Sequence, residues 1–236
     1  MTDKLPDIRA DVALIDMDGT VTPTIKHGDY CGRVLCRLVA QRHGVDEAGG
    51  ESIVRQTFDL GEEPITDSAL SDLRIEYDEY WKAVMTWQDA HFSPFEDAVE
   101  MIKRLGEMNV RMYPGTSNSS FACRVKLAMA GLAGPRGPTH FAELFGGSEV
   151  CPDGKSGPGF FSAILEKIDC AAKDVVMIGD EVTTDLAFAR SAGIEQIVIV
   201  HRDQERLWLR GDDGAIFVRS LAIVPQMLGR TSDEKT

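Results

Sequence analysis

Short, mostly apolar runs recur along this chain and alternate with segments of helical periodicity. The runs occupy residues 12–15, 110–115, 175–178, 197–200 and 215–218. The helical patterns occupy residues 95–108, 121–130, 158–168 and 180–192. Strands that are apolar on both faces and alternate with helices are typical of a parallel sheet covered on both sides. The sequence therefore predicts an α/β fold with a doubly wound parallel sheet.

Residues 23–90 interrupt this alternation directly after the first predicted strand. They contain helical patterns at 29–43 and 66–87 but no persuasive strand. We interpret this segment as a helical cap domain inserted into the core. The predicted boundaries are 1–22 and 91–236 for the core and 23–90 for the cap, with residues 231–236 as a frayed tail.

The charge balance limits the classes of partner that this chain can bind. The 236 residues carry a formal net charge of −13, which disfavours a basic face for nucleic acid. No apolar run approaches the ~18 residues of a membrane span, and the polar residues 1–10 do not resemble a secretory signal. We expect a cytoplasmic protein with no nucleic-acid or membrane partner. A monomer and a homodimer are both compatible with the sequence.

Polar residues follow the ends of three predicted strands. They are Asp16 and Asp18 after the first strand, Thr116, Ser117 and Asn118 after the second, and Asp180 and Asp185 after the third, while Lys155 precedes a predicted helix. In open α/β sheets, ligands bind beyond the carboxyl ends of the strands. Each feature by itself is more often a turn, a helix cap or a solvated side chain, so the candidates gain weight only as a set.

In this order, the candidates resemble the four motifs of the haloacid dehalogenase superfamily. Motif one is similar to Asp16-Met-Asp18-Gly19-Thr20, motif two to Ser117-Asn118, motif three to Lys155, and motif four to Gly179-Asp180 through Asp185. The resemblance extends over residues 10–22 and 92–229, whereas the cap matches only in position and helical character. It implies a Rossmann-like catalytic core with a cap of the helical class, called C1 or subfamily I.

The resemblance also implies a phosphoryl transfer through a covalent intermediate. Asp16 would be the nucleophile, and Asp18 would act as general acid and then as general base. Lys155 would offset the negative charge that collects around Asp16 and the phosphate. Ser117 would donate to a phosphoryl oxygen, with Thr116 as the alternative hydroxyl.

The remaining implied roles concern the metal and the bound substrate. Mg²⁺ would be held by Asp16, the backbone carbonyl of Asp18 and Asp180, with Asp185 as a further ligand or as a support for one. Thr116 and Asn118 would contact the substrate.

The second acid, Asp18, distinguishes between the chemistries of the superfamily. Members that cleave carbon–halogen or carbon–phosphorus bonds generally lack it, because their leaving groups do not require that proton. The sequence therefore favours a Mg²⁺-dependent phosphatase, a phosphoric monoester hydrolase acting on a small phosphorylated metabolite. A sugar phosphomutase with the same motifs and a non-catalytic binding protein on the same fold remain alternatives.

The predicted cap offers few further candidates. Arg33 and Arg37 lie four residues apart and could hold a second anionic group of the substrate, although a solvated helix face is the favoured explanation. Trp81 and Trp87 are better explained by packing within the cap.

The residues that follow motif one, Val21-Thr-Pro-Thr24, differ from the Leu and Asp-Ser of many capped relatives. This difference argues against a direct transfer of phosphoglycolate-type specificity.

Overall fold

The computed structural model describes residues 4–24, 30–57, 67–89, 91, 93–137 and 139–229. The strands of this part of the chain are β1 Ile8–Arg9, β2 Val12–Ile15, β3 Arg111–Pro114, β4 Val175–Gly179, β5 Gln196–Val200, β6 Trp208–Arg210, β7 Ile216–Val218 and β8 Leu228–Gly229. The helices are α1 Tyr30–His43, α2 Glu47–Thr57, α3 Asp67–Asp72, α4 Tyr77–Asp89, α5 Glu96–Glu107, α6 Ser120–Met129, α7 Gly147–Val150, α8 Gly159–Lys167, α9 Phe188–Ser191 and α10 Val224–Met227. Within the described ranges, no helix has both the length and the apolar character needed to cross a bilayer. The predicted frayed tail at 231–236 lies outside the described residues.

The main sheet has six strands in the order β3-β2-β4-β5-β7-β6. Neighbouring strands run parallel, except that β6 is antiparallel to β7. Ile15 is in register with Pro114 of β3 and with Ile178 of β4. The carboxyl ends of these three central strands therefore meet at one edge of the sheet.

Successive residues of a strand face two different apolar cores. In β2, Val12 and Leu14 pack on the side of α8, whereas Ala13 and Ile15 pack on the side of α5. This alternation follows from the two-residue period of an extended chain. Because helices cover both faces, the predicted doubly wound, Rossmann-like parallel core is confirmed.

The periodicity of α5 explains how one of these helices packs on the sheet. Its apolar side chains at Ala98, Met101, Ile102 and Leu105 are completely buried. Their spacing of three and four residues places them on one face of the helix. Acidic residues in the first turn and Arg104 in the last turn suit the helix dipole.

Helices α1 to α4 lie between β2 and α5 in the chain, and the described part of residues 23–90 contains no strand. Their buried side chains form one apolar cluster together with one face of α6. At the contact, the ring of Phe121 from α6 stacks on Tyr80, with ring centroids 4.8 Å apart, and meets Trp81 edge-on at 5.9 Å. Helices α1 to α4 thus pack on α6, the helix that follows β3, while the division into a core and a helical cap with the predicted boundaries stays a prediction.

The expectation of one continuous helix over residues 66–87 is wrong. Helix α3 ends at Asp72, and α4 begins at Tyr77. Between them, Arg74 has the left-handed φ of 59°, and the amide of Ile75 donates to the carbonyl of Leu70 at 2.9 Å. This geometry ends a helix by satisfying its last carbonyls. The apolar spacing continues across the break, which is why periodicity alone did not reveal it.

Candidate active site

The sheet order brings the predicted motif residues to one edge. Asp16 directly follows β2, and Asp180 directly follows β4, the neighbouring strand. The amide of Asp16 donates to the carbonyl of Ile178 at 2.9 Å, so parallel pairing continues up to the predicted nucleophile. On the other side of β2, the loop after β3 carries Thr116, Ser117 and Asn118.

Three carboxylates converge at this edge. Asp16, Asp180 and Asp185 each offer an oxygen, and these oxygens lie within 4.8 Å of one another. Asp16 and Asp185 are buried, while Asp180 is partly exposed. The turn after β2 comes so close to Asp180 that it requires a glycine. Gly19 has a φ of 81°, and a Cβ at this position would collide with the carboxylate of Asp180.

Asp185 holds the turn after β4 in place. The chain there forms a π-helical turn, Val182–Ala187, which continues into α9, where the sequence predicted an ordinary helix. π-Turns occur frequently at functional sites. Oδ2 of Asp185 accepts hydrogen bonds from the amides of Asp180 and Glu181, both at 2.9 Å. One oxygen of Asp185 is therefore committed to the backbone that carries Asp180.

Lys155 is the cation of this cluster. Its Nζ lies 2.7 Å from Oδ1 of Asp16 and is also paired with Oδ1 of Asp185. The side chain is buried, with 7% of its surface exposed. Burial alone would lower the pKa of Lys155, but the two adjacent carboxylates outweigh it and the pKa lies above its ordinary value. Lys155 is therefore charged at neutral pH.

The surroundings of Asp16 and Asp180 disfavour the ionised form of these two acids. Burial, with a further contribution from Asp185, raises the pKa of Asp16 to about 7 although Lys155 opposes the shift. Burial and Asp185 also raise the pKa of Asp180 to about 6. Three carboxylates thus lie close together, and the one ammonium group among them is paired with only two, Asp16 and Asp185. Carboxylate oxygens are the hard ligands that Mg²⁺ prefers. The donor set fits a divalent cation.

The loop after β3 places its polar side chains in two directions. Oγ of Ser117 accepts a hydrogen bond from the amide of Lys155 at 3.2 Å, so Ser117 lies against the backbone that carries this lysine. Thr116 is buried, and its Oγ1 accepts a hydrogen bond from Nδ2 of Asn118 at 2.7 Å. A contact of Ser117 or Thr116 with a phosphoryl group, and one of Asn118 with the substrate, stay predictions.

Asp18 points into a second network that contains a residue missed by the sequence analysis. Nζ of Lys126 lies 2.7 Å from each carboxylate oxygen of Asp18 and 2.8 Å from Oδ1 of Asn118. Nδ2 of Asn118 donates to Oδ2 of Asp18 at 2.7 Å. The signal in the sequence was a lysine on the apolar face of α6, three residues after the buried Cys123.

Arg202, in the loop after β5, is a second residue that the sequence analysis missed. It donates to the backbone carbonyls of Gly19 and Thr20 at 2.8 and 2.9 Å and to Asp97 at 3.0 Å. Its guanidinium group also lies 3.7 Å from the ring centroid of Phe95. Arg202 thereby ties the turn after β2 to the start of α5.

The candidate residues of the cap lie outside the carboxylate cluster. Arg33 and Arg37 are both exposed on α1, and Nε of Arg37 donates to Glu47 of α2 at 3.1 Å. Their contact with a substrate stays a prediction. Trp87 stacks on Tyr30 with ring centroids 4.7 Å apart, and Trp81 packs on Phe121 as described above, so both tryptophans do pack within the cap and its contact with α6.

The comparisons with known proteins agree with the motifs and the fold. The family model for haloacid dehalogenase-like hydrolases matches residues 10–193, which is more than half of the chain. The chain belongs to the haloacid dehalogenase-like hydrolase family. The predicted superfamily is thus confirmed, while the C1 class of its cap stays a prediction.

Among curated proteins, a ribulose-1,5-bisphosphate 5-phosphatase from Halopiger xanaduensis is 28% identical over 121 residues, which are 51% of this chain and 46% of that protein. The chain therefore matches about half the length of this relative.

Two solved structures illustrate the fold. A HAD phosphatase from Thermococcus onnurineus has a TM-score of 0.53 at 18% identity and covers 93% of this chain and 97% of its own. An L-2-haloacid dehalogenase from Xanthobacter autotrophicus has a TM-score of 0.51 at 12% identity, covering 92% and 98%. At such identities the likeness concerns the fold alone, and one fold accommodates both chemistries.

Proposed function

We propose that this protein is a Mg²⁺-dependent phosphatase that hydrolyses a small phosphorylated metabolite through a phospho-aspartate at Asp16. The observation that carries the proposal is the largely buried cluster in which Asp16 lies beside Lys155, Asp180 and Asp185. The matched family of hydrolases and the phosphatase activity in the name of the Halopiger relative support it.

In the first step, a carboxylate oxygen of Asp16 attacks the phosphorus atom as the bond to the leaving oxygen breaks. The leaving oxygen takes the electron pair of that bond and receives a proton from Asp18. Lys155 is placed to offset the charge of the phosphoryl oxygens, because its Nζ already lies 2.7 Å from Oδ1 of Asp16. The product of this step is phospho-Asp16.

In the second step, water attacks the phosphorus atom of phospho-Asp16. Asp18, now ionised, accepts a proton from that water as the bond to the Asp16 oxygen breaks. Inorganic phosphate leaves, and Asp16 and the protonated Asp18 are regenerated. Ser117 or Thr116 donates a hydrogen bond to a phosphoryl oxygen in both steps.

The residues that would hold Mg²⁺ are Asp16, Asp180, the backbone carbonyl of Asp18 and, directly or through the turn that it supports, Asp185. When bound, the ion supplies positive charge that offsets the repulsion between a carboxylate and a phosphate dianion. Thr20 contributes by holding one carboxylate, since its Oγ1 donates to Oδ1 of Asp180 at 3.3 Å.

Asp18 is the residue that favours phosphoester hydrolysis over dehalogenation. The structural neighbours do not distinguish these two reactions, because a phosphatase and a dehalogenase resemble this chain about equally. An alkoxide is a poor leaving group and needs a proton, whereas a halide does not. The second acid of motif one therefore favours a phosphate ester as substrate.

A helical cap beside the catalytic edge favours a small substrate over a macromolecule. The Halopiger relative acts on a sugar bisphosphate by its name, and this class is our first candidate, with Arg33 and Arg37 as contacts for the second phosphate. We keep the cytoplasm as the proposed location and a monomer or homodimer as the proposed state.

The test is a screen of phosphorylated metabolites for release of inorganic phosphate with and without Mg²⁺. The proposal expects release that needs Mg²⁺ and disappears in Asp16→Asn, which keeps the side-chain shape but removes the nucleophile. Undiminished turnover by this variant would refute the mechanism. Consumption of a sugar phosphate without release of inorganic phosphate would instead identify the phosphomutase alternative, and failure to consume any substrate would favour the binding protein.

A further inference from the structure

Lys126 is buried in the core although it carries a charge. It lies in α6, the helix that follows the motif-two loop, and only 1% of its surface is exposed. The surrounding positions Ala122, Cys123 and Leu127 are buried and apolar. Placing an ammonium group among such side chains is costly unless the group is paired and hydrogen-bonded. The identity of its partners therefore indicates why a lysine is tolerated here.

The partners of Lys126 belong to motifs one and two. Nζ contacts both carboxylate oxygens of Asp18 at 2.7 Å and Oδ1 of Asn118 at 2.8 Å. Asn118 closes the network, because its Nδ2 donates both to Oδ2 of Asp18 and to Oγ1 of Thr116, each at 2.7 Å. Two side chains, those of Lys126 and Asn118, thus converge on the carboxylate of Asp18, and Thr116 supports Asn118 from behind.

Asp18 lies in a tight turn and would have little support without this network. Its side chain is 33% exposed. The turn is closed by backbone hydrogen bonds, such as the one from the amide of Gly19 to the carbonyl of Thr22 at 2.6 Å, and these bonds leave the carboxylate free to rotate. Contacts to both oxygens select one orientation of the carboxylate, because rotation would break at least one of them.

We propose that Lys126 is a positioning residue that, together with Asn118, holds the carboxylate of Asp18 in the orientation for proton transfer to the leaving group. This inference rests on the proposed phosphatase function. It assigns a role to a residue outside the four motifs, and it makes α6 part of the machinery of the site. Lys126 acts through Asp18 and does not contact the substrate.

The test uses leaving groups of different acidity. A nitrophenolate ion leaves without a proton, whereas an alkoxide needs one, so the loss of proton transfer lowers kcat/KM mainly for alkyl phosphates. In Asp18→Asn we expect a loss of ~10²-fold or more on an alkyl phosphate but less than ~10-fold on 4-nitrophenyl phosphate. Lys126→Met, which keeps the volume but removes the charge, should show the same selective pattern. A loss through misfolding would affect both substrates equally.

A double variant tests whether the two residues act as one unit. If Lys126 works through Asp18, the variant with both Asp18→Asn and Lys126→Met should lie within about threefold of Asp18→Asn alone. The matched control is Lys103→Met, the same substitution at an exposed position on α5, which should leave both substrates unaffected. Circular dichroism and thermal unfolding check that each variant is folded; if Lys126→Met is not, Lys126→Gln replaces it in the series.

The outcomes separate this inference from the proposed function. A selective loss on alkyl phosphates that disappears in the Asp18→Asn background supports the positioning role. Equal losses on both substrates, an increase in activity, or additive effects in the double variant would overturn it while leaving the phosphatase intact. A wild-type protein that releases phosphate from neither substrate, nor from any metabolite of the screen, would instead count against the proposed function.

Discussion

Nζ of Lys155 lies 2.7 Å from Oδ1 of Asp16 although the two residues are 139 positions apart in the chain. The same ammonium group is paired with Asp185. A single buried cation thus holds the predicted nucleophile against the acid that supports the turn after β4. Because the contact is buried, it is weakly screened by salt, and its removal should have large effects.

Lys155→Met should lower kcat on every phosphate ester, because the charge of Lys155 acts on the transferring phosphoryl group itself. We expect a loss of ~10²–10³-fold that is similar for 4-nitrophenyl phosphate and for the true substrate. Steady-state kinetics on both substrates provides the measurement. Lys167→Met, the same change at a surface pair with Glu143, serves as control. A loss confined to KM would argue that Lys155 merely binds the substrate.

Asp180→Ala should weaken Mg²⁺ binding by more than ~10-fold while the protein stays folded, because Asp180 is partly exposed and its loss creates no apolar cavity. Calorimetric titration of the metal-free protein measures the affinity directly. The control is Asp212→Ala, an exposed acid in the turn between β6 and β7. An unchanged titration in Asp180→Ala would remove Asp180 from the set of metal ligands.

In the metal-free protein, Asp16 and Asp180 should together reduce the free energy of unfolding as the pH rises from about 4 to about 7. In this window the folded state retains a proton on Asp16, whose pKa is raised from 3.8 to about 7, whereas the unfolded state releases it. Asp180, raised to about 6, acts in the same direction. The contribution of Asp16 to stability therefore falls with rising pH by an amount on the order of a few kcal/mol, and the partly exposed Asp180 adds less because solvent screens it.

The measurement is thermal unfolding in a chelator across this pH range, compared with the double variant Asp16→Asn with Asp180→Asn, which cannot ionise at these positions. The wild type should lose stability relative to the variant as the pH rises, and added Mg²⁺ should reduce that loss. A constant difference between the two proteins across the range would contradict the raised pKa values.

Arg33→Ala and Arg37→Ala should act on substrate recognition and leave the chemistry unaffected. If these side chains hold a second phosphate, each change should raise KM for a sugar bisphosphate by tens-fold, equivalent to ~2 kcal/mol. KM for the corresponding monophosphate should change little. For Arg37, the exposed pair with Glu47 contributes little to stability, so folding is not expected to suffer. Equal KM changes on both substrates would point to a defect in the cap.

The local character of the chain was largely determined by its sequence. The strand Val12–Ile15 has the predicted bounds, and β4 and β5 are each one residue longer than predicted. Runs of β-branched and aliphatic residues between turn residues strongly favour buried strands. The polar residues after β2, β3 and β4 also lie at one edge, as parallel pairing requires. The local sequence pattern was therefore sufficient to predict these strands and the polar residues at their ends.

Tertiary structure decided the features that depend on which elements pack together. In the sequence, Lys126 does not differ from any other lysine in a helix. Only the packing of α6 beside the turn after β2 brings it to Asp18, 108 positions away in the chain. The break between α3 and α4 depends in the same way on burial of Leu73 and Ile75, which periodicity does not report. Apolar spacing states which face of an element is buried but not what lies opposite, and a buried charge acquires its role only from that neighbour.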